Sequence, residues 1–181
     1  MLSIVVGFIR KGSLRNLGRT PLRYFYLFCL PFFVFVAVSV IAVSISHKSL
    51  MPYIRMADIG QYVLLLTAIF LNFHMWEMWV VAAGTLANFT ALAANGGTMP
   101  VSLGALKAAG LAGVLGSQPV RHAAMTPATH FKWLADIIPL RTSSLFLSQV
   151  FSIGDILIAV GIFILVQHYM CHPAKEPSTG G

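Results

Sequence analysis

The chain has 181 residues, 57% of them hydrophobic and only 9% charged, with a mean hydropathy of +0.82. A soluble domain carries about 25% charged residues, so this composition excludes an ordinary soluble enzyme and leaves no room for a separate soluble domain. The formal charge of +7 does not point to nucleic acid, because it is concentrated in one stretch between apolar runs.

Leu2 to Ile9 opens the chain as an apolar run. It is too short to span, since spanning takes about 20 helical residues, and reads as a half-helix or an interfacial segment. It lacks a positive n-region and an A-x-A site, so it does not read as a signal peptide. The basic stretch follows, "RKGSLRNLGRTPLR", with Arg10, Lys11, Arg15, Arg19 and Arg23 and no acid among them. It reads as a cytoplasmic anchor under the positive-inside rule, in contact with anionic lipid headgroups.

The expected fold is all-α, a single polytopic membrane domain with four spans at about 24–46, 59–73, 79–94 and 151–170. Pro31 is expected to kink the first span or to break it early. "HMWEMW" reads as a tight turn between the second and third spans, with Trp76 and Trp79 at the interface. The alternative, one continuous helix, would put Glu77 and His74 in mid-membrane at high cost.

The only long connection, 95–149, reads as a structured cap. It opens with the turn cluster "ANGGTMP", and "SLGALKAAGLAGVLG" then suggests a small-residue helix starting at Ser102. With loop 10–23 cytoplasmic, loop 95–149 is exterior, and the membrane is the bacterial cytoplasmic one. Cys29 and Cys171 suggest no disulfide framework. No phosphate loop, zinc CxxC pair or nucleophile elbow occurs, so no cofactor is implied. His168, Cys171 and His172 share a helix face at a frayed end, and His122 and His130 match no ligand spacing, so no metal is expected either.

Chemistry narrows to the acids Asp58, Glu77, Asp136, Asp155 and Glu176. Asp136 and Asp155 flank the entry into the last span, where an ionisable group is costly and by default functional. "Ser152-Ile-Gly-Asp155" also matches a capping box, which suffices for Asp155 alone but does not explain Asp136. Asn88 shares a helix face with Gly84, Ala91 and Asn95, where small residues admit a neighbouring helix and an amide bonds across to it. Two carboxylates in one desolvated site cannot both ionise easily, so one holds a proton while the other activates water. On that reading Asp136 and Asp155 are the catalytic pair, and Asn88, Ser152 and Asn95 orient the substrate or the dyad.

"GTLANFTAL", "KWLADIIPL" and "VFSIGDILIAVGIFIL" resemble, in order and spacing, the C-terminal half of lipoprotein signal peptidase (signal peptidase II). That resemblance implies four spans, catalytic roles for Asp136 and Asp155, and a match of Asn88 to the asparagine of the first motif. It departs at Ala91-Leu92, where the family has Asp-Arg, and at Ser152, where it has asparagine. "GSLRNL", "AANGGTMPV", "ADIIP" and "VFSIGD" are similar, nearly end to end, to an uncharacterised family of small bacterial membrane proteins, which implies no activity. The competing expectation is a non-catalytic scaffold or accessory subunit, in which Asp155 is a cap and Asp136 pairs with Arg141 or Lys132. A small transporter is weaker, because no inverted repeat is evident.

Overall fold

A computed structural model describes residues 2–44, 51–111, 122–142 and 148–172. The described chain is mostly helical: α1 (Leu2–Ile9), α2 (Leu14–Leu17), α3 (Tyr26–Ser44), α4 (Met51–Phe70), α5 (Glu77–Ala94), α6 (Leu103–Ala108) and α7 (Ile153–Cys171). Among the described residues α4, α5 and α7 are long and apolar enough to cross a membrane. Within α3 a shorter apolar stretch, Tyr26–Val38, accompanies them. Pro31 lies inside α3 without ending it. The outward faces of these helices carry large apolar side chains such as Phe32, Phe33, Val63 and Ile162.

The central pair is α5 and α7, whose contact is the most extensive between any two elements. Glycines make it possible. A Cβ on Gly154 would strike the Asn88 side chain and the Gly84 carbonyl, and one on Gly161 would strike Val81. Lipid tails are as apolar as Leu, so helices in a bilayer gain little from hydrophobicity and depend on such close packing and on hydrogen bonds. Below Gly84 the seam is apolar, with Met78, Val81 and Ala82 of α5 packed near Ile158 and Leu165 of α7. Layered on α5 is α4, and α3 packs on α4 in turn.

The amino-terminal apolar run is a helix bound to the C-terminal end of α7. Gly7 and Gly12 lie against Met170, whose carbonyl accepts from Ser13 N and Asn16 Nδ2, each at 3.1 Å. Gln167 donates from Nε2 to Ser3 O at 2.6 Å and accepts from Arg10 at 3.1 Å. In the turn between α4 and α5, buried Asn72 accepts from Arg23 N at 2.7 Å and donates to Arg23 O at 2.9 Å, which fixes the approach to α3.

Two departures from the expected fold bear on the site. First, α4 starts at Met51, not near Ile59, so Asp58 lies inside a helix and not in a connecting loop. Pro52 in the first turn suits a helix start, because its missing N–H has no partner to lose there. Second, the cap is not helical alone, which corrects the all-α expectation. It contains β1 (Met99–Val101) parallel to β2 (His122–Ala124), and β3 (Ile138–Leu140) antiparallel to β4 (Gln149–Phe151). Strands of three residues give no readable period in sequence, yet a packed loop must pair its backbone groups.

The entry to the cap is set by glycine. Gly96 and Gly97 adopt φ of +69° and +78°, a conformation other residues rarely take, and Gly97 N closes on Leu92 O at 2.9 Å. Ser102 then caps α6 by accepting from Ala105 N at 3.3 Å, at the position the sequence indicates. The helix ends at Ala108, sooner than the small-residue stretch suggests. Residues 112–121 and 143–147 of the cap, and the last two of the expected span 24–46, lie outside the described residues.

Candidate functional site at the cap end of the helices

Ser152 caps α7 with both halves of the capping box. Its Oγ accepts from Asp155 N at 2.9 Å, and Asp155 Oδ2 accepts from Ser152 N at 2.9 Å. The box is tied across the glycine seam to α5. Asn88 Nδ2 donates to Asp155 Oδ1 at 2.7 Å, and Ser152 Oγ donates to Asn88 Oδ1 at 2.7 Å. Asn88 and Ser152 are buried, so this ring of bonds excludes water on its α5 side. The expected amide bridge from the Gly84 face of α5 is therefore formed, with Asp155 and Ser152 as its partners.

Asp136 reaches the same place through strand register. Its N–H donates to Pro100 O at 3.0 Å and its carbonyl accepts from Ser102 N at 2.9 Å, which locks it beside β1. The next residue, Ile137, donates to Phe151 O at 3.1 Å, and Ile138 pairs with Phe151 in the β3–β4 ladder. Phe151 immediately precedes Ser152, so the ladder brings Asp136 to the mouth of α7. Asp136 is only 5% exposed. Its Oδ2 lies 3.4 Å from Nδ1 of His122, a side chain left 51% exposed by β2. Burial pushes the Asp136 carboxyl above the ordinary aspartate range, opposed by the His122 hydrogen bond and charge and reinforced by Asp155.

A cavity of about 630 Å³ opens between α3, α4, α5, α7 and the cap. Its polar wall is Asp58, Gln61, Tyr62, Asn88, His122, Asp136, Gln149 and Asp155, and its apolar wall includes Phe35, Leu65, Ile158 and Ile162. Asp136 and Asp155 thus share one cavity, each with its own partners. Asn88 lines it and Ser152 stands behind Asn88. Asn95 does not reach it: its amide donates to Ala91 O at 2.7 Å and His130 O at 3.0 Å, and accepts from His130 N at 3.0 Å, holding the cap. Asp136 pairs with His122, not with Lys132, which donates to Pro127 O at 3.0 Å.

Sequence reasoning counted Asp58 among the acids without giving it a role and missed Gln61 and Tyr62, although the spacing Asp58, Gln61, Tyr62, Leu65 is one helix face. The signal was present once α4 is extended back to Met51. No sequence signal relates His122 to Asp136, because the relation depends on β1 pairing with both segments.

At the opposite end of α7, fully buried Glu77 bonds His168 Nδ1, while Glu77 Oε2 has no hydrogen-bond partner. Cys171 and His172 bond the backbone instead, at Arg10 O (4.0 Å) and His168 O (3.3 Å). Among the described residues no group of three or more His, Cys, Asp or Glu side chains is arranged to hold a metal ion.

Fold and site together define a mostly helical chain with, among the described residues, three membrane-capable helices and a carboxylate-lined cavity at one end. The chain belongs to the family of unknown function DUF5317, whose pattern matches residues 19–167. An uncharacterised protein of Thermotoga maritima is similar, 27% identical over 174 residues that cover 93% of this chain and 90% of the relative. No solved structure matches.

Proposed function

We propose that the chain is an integral membrane protein of four spans, α3 included, and a hydrolase that cleaves an amide or ester bond presented at the membrane face. One observation carries this: Asp136 and Asp155, from separate segments, line one cavity in unequal surroundings. Asp155 accepts from the Asn88 amide and from Ser152 N–H, bonds that fix both of its oxygens, and it keeps lone pairs for a water. Asp136 is desolvated, which raises its carboxyl above the ordinary aspartate range, so it is the acid. Asn88 and Ser152 fix the base. The order and spacing of the motifs that resemble signal peptidase II support the same pair.

On this reading the cavity faces the exterior of the cytoplasmic membrane, and Arg10, Lys11, Arg15, Arg19 and Arg23 meet anionic headgroups on the other side. All five are exposed, at the end of α7 remote from Asp155. The test is turnover of fluorogenic lipid-anchored peptides and esters by the protein in nanodiscs. Asp136→Asn and Asp155→Asn should each abolish it with the chain still folded, and turnover that survives either change sinks the proposal.

The capping box favours a second reading, a non-catalytic scaffold or accessory subunit, because it accounts for Asp155 without chemistry. On that reading Asp155→Asn and Asp155→Ala lower stability alike and no cleavage depends on Asp136.

A further inference from the structure

Asp136 is tied down on both sides of its backbone, through Pro100 O and Ser102 N, and its side chain is buried. The carboxyl cannot swing out to bulk water. An acid that has given up a proton must nevertheless regain one before it acts again. A group that touches both the carboxyl and the solvent has to supply it.

His122 stands in that position. Strand β1 holds both segments, since Met99 pairs with His122 and Val101 bridges to Asp136. This register sets Nδ1 of His122 3.4 Å from Asp136 Oδ2, with the imidazole side chain 51% exposed. The contact serves the carboxyl in either state. Ionised Asp136 accepts from Nδ1–H, and the neutral acid donates to an unprotonated Nδ1. A lysine or arginine there would only donate and would hold the carboxylate ionised. Imidazole takes and releases protons near neutrality, so it can collect one from water and pass it on. The other titratable groups facing the cavity are Asp58 and Tyr62 of α4 and Asp155 of α7, with none from α3 or α5. Asp155 is engaged by Asn88 and Ser152, not by Asp136.

We propose that His122 is the proton relay of this site, carrying protons between the solvent and the buried Asp136 carboxyl. It acts through Asp136 and is a positioning residue. The inference rests on the hydrolase reading and adds how its acid is recharged. In a turnover Asp155 takes a proton from the attacking water, and Asp136 gives one to the leaving nitrogen or oxygen. The His122 imidazolium then passes its Nδ1 proton to the Asp136 carboxylate, and the neutral ring takes another from the solvent. Asp155 returns its own proton to water. One proton enters through His122 and one leaves from Asp155, so the cycle balances. Recharging slows as pH rises above the range in which imidazole is protonated.

The test follows protons without substrate, on the full chain in phosphatidylcholine nanodiscs. The infrared band of the Asp136 carboxyl, assigned by its loss in Asp136→Asn, is recorded after a jump to acid pH. His122→Gln keeps a donor but cannot relay, and should slow protonation about a hundredfold. In His122→Ala, added imidazole should restore the rate in proportion to its concentration. Protonation as fast in His122→Gln as in the unaltered chain, or a His122→Ala rate indifferent to imidazole, overturns the proposal. Where the variants fail to fold, nitrogen NMR on the unaltered chain decides. The His122 ring must change tautomer or protonation in step with the Asp136 band, and a ring that keeps one state while the carboxyl titrates overturns the relay. Protonation that needs His122, with turnover indifferent to Asp136, would fail the hydrolase and keep the relay. Turnover that needs Asp136, with protonation indifferent to His122, would do the reverse.

Discussion

Ser152 donates its hydroxyl to Asn88 Oδ1 at 2.7 Å across the seam between α5 and α7. The same asparagine donates to Asp155, and Asp155 accepts from Ser152 N, so three side chains close one circuit between two helices. A helix cap and an interhelical bond are here the same structure.

Asn88→Ala should therefore do more than remove one bond. It strands the buried Ser152 hydroxyl and takes a donor from Asp155, at a cost of about 1–3 kcal/mol for a buried group left unpaired. Thermal unfolding in detergent measures it. A loss no larger than that of Leu86→Ala, on an exposed face of α5, would show that the circuit contributes little.

Gly154→Ala should be at least as damaging. The added Cβ would meet both Asn88 and the Gly84 carbonyl, and backbone cannot step aside as a flexible side chain does. Overpacking of this kind costs about 1–3 kcal/mol. Its effect and that of Asn88→Ala should combine to less than their sum, since opening the seam already separates Asn88 from Asp155. A double-mutant cycle on melting free energies reads this, and strict additivity would contradict it.

The pH dependence of stability should carry the mark of Asp136. Its carboxyl is raised above the ordinary value of 3.8 when folded, so the folded chain keeps that proton to higher pH than the unfolded chain does. Between the ordinary and the raised value the folded state binds more protons, and this group's contribution makes stability fall as pH rises. Below that window the contribution is fully present, and above it the loss is complete and flat. Asp136→Asn should flatten this part of the profile, as seen in melting midpoints across about pH 4 to pH 8. An unchanged slope would mean that the buried carboxyl is not the titrating group.

Glu77 and His168 offer a test at the other end of the helices. His168→Ala leaves fully buried Glu77 without its partner, and although the His168 side chain is 41% exposed, stranding a buried polar group costs about 1–3 kcal/mol. Replacing both, with Glu77→Leu and His168→Leu, should recover most of that loss, because the orphan Oε2 is removed with the charge. Chemical unfolding midpoints compare the variants. A double variant as unstable as His168→Ala would indicate a role beyond charge compensation.

Composition and apolar periodicity alone determined the helical class, the membrane-capable stretches and the approximate ends of α5 and α7. These are local properties: burial in lipid selects residues along a single helix, and Ser152 announces its cap within four positions. The Asn88 face was legible for the same reason, since its spacing follows from helical geometry. What only the tertiary structure decided is which helices and strands are neighbours. Asp136 meets the cavity through the pairing of Ile138 with Phe151, His122 meets Asp136 through β1, and Asp58 joins them because α4 begins at Met51 and packs beside α5. Such relations are made by backbone bonds between distant segments, and backbone bonds leave no trace in the identity of the residues that make them.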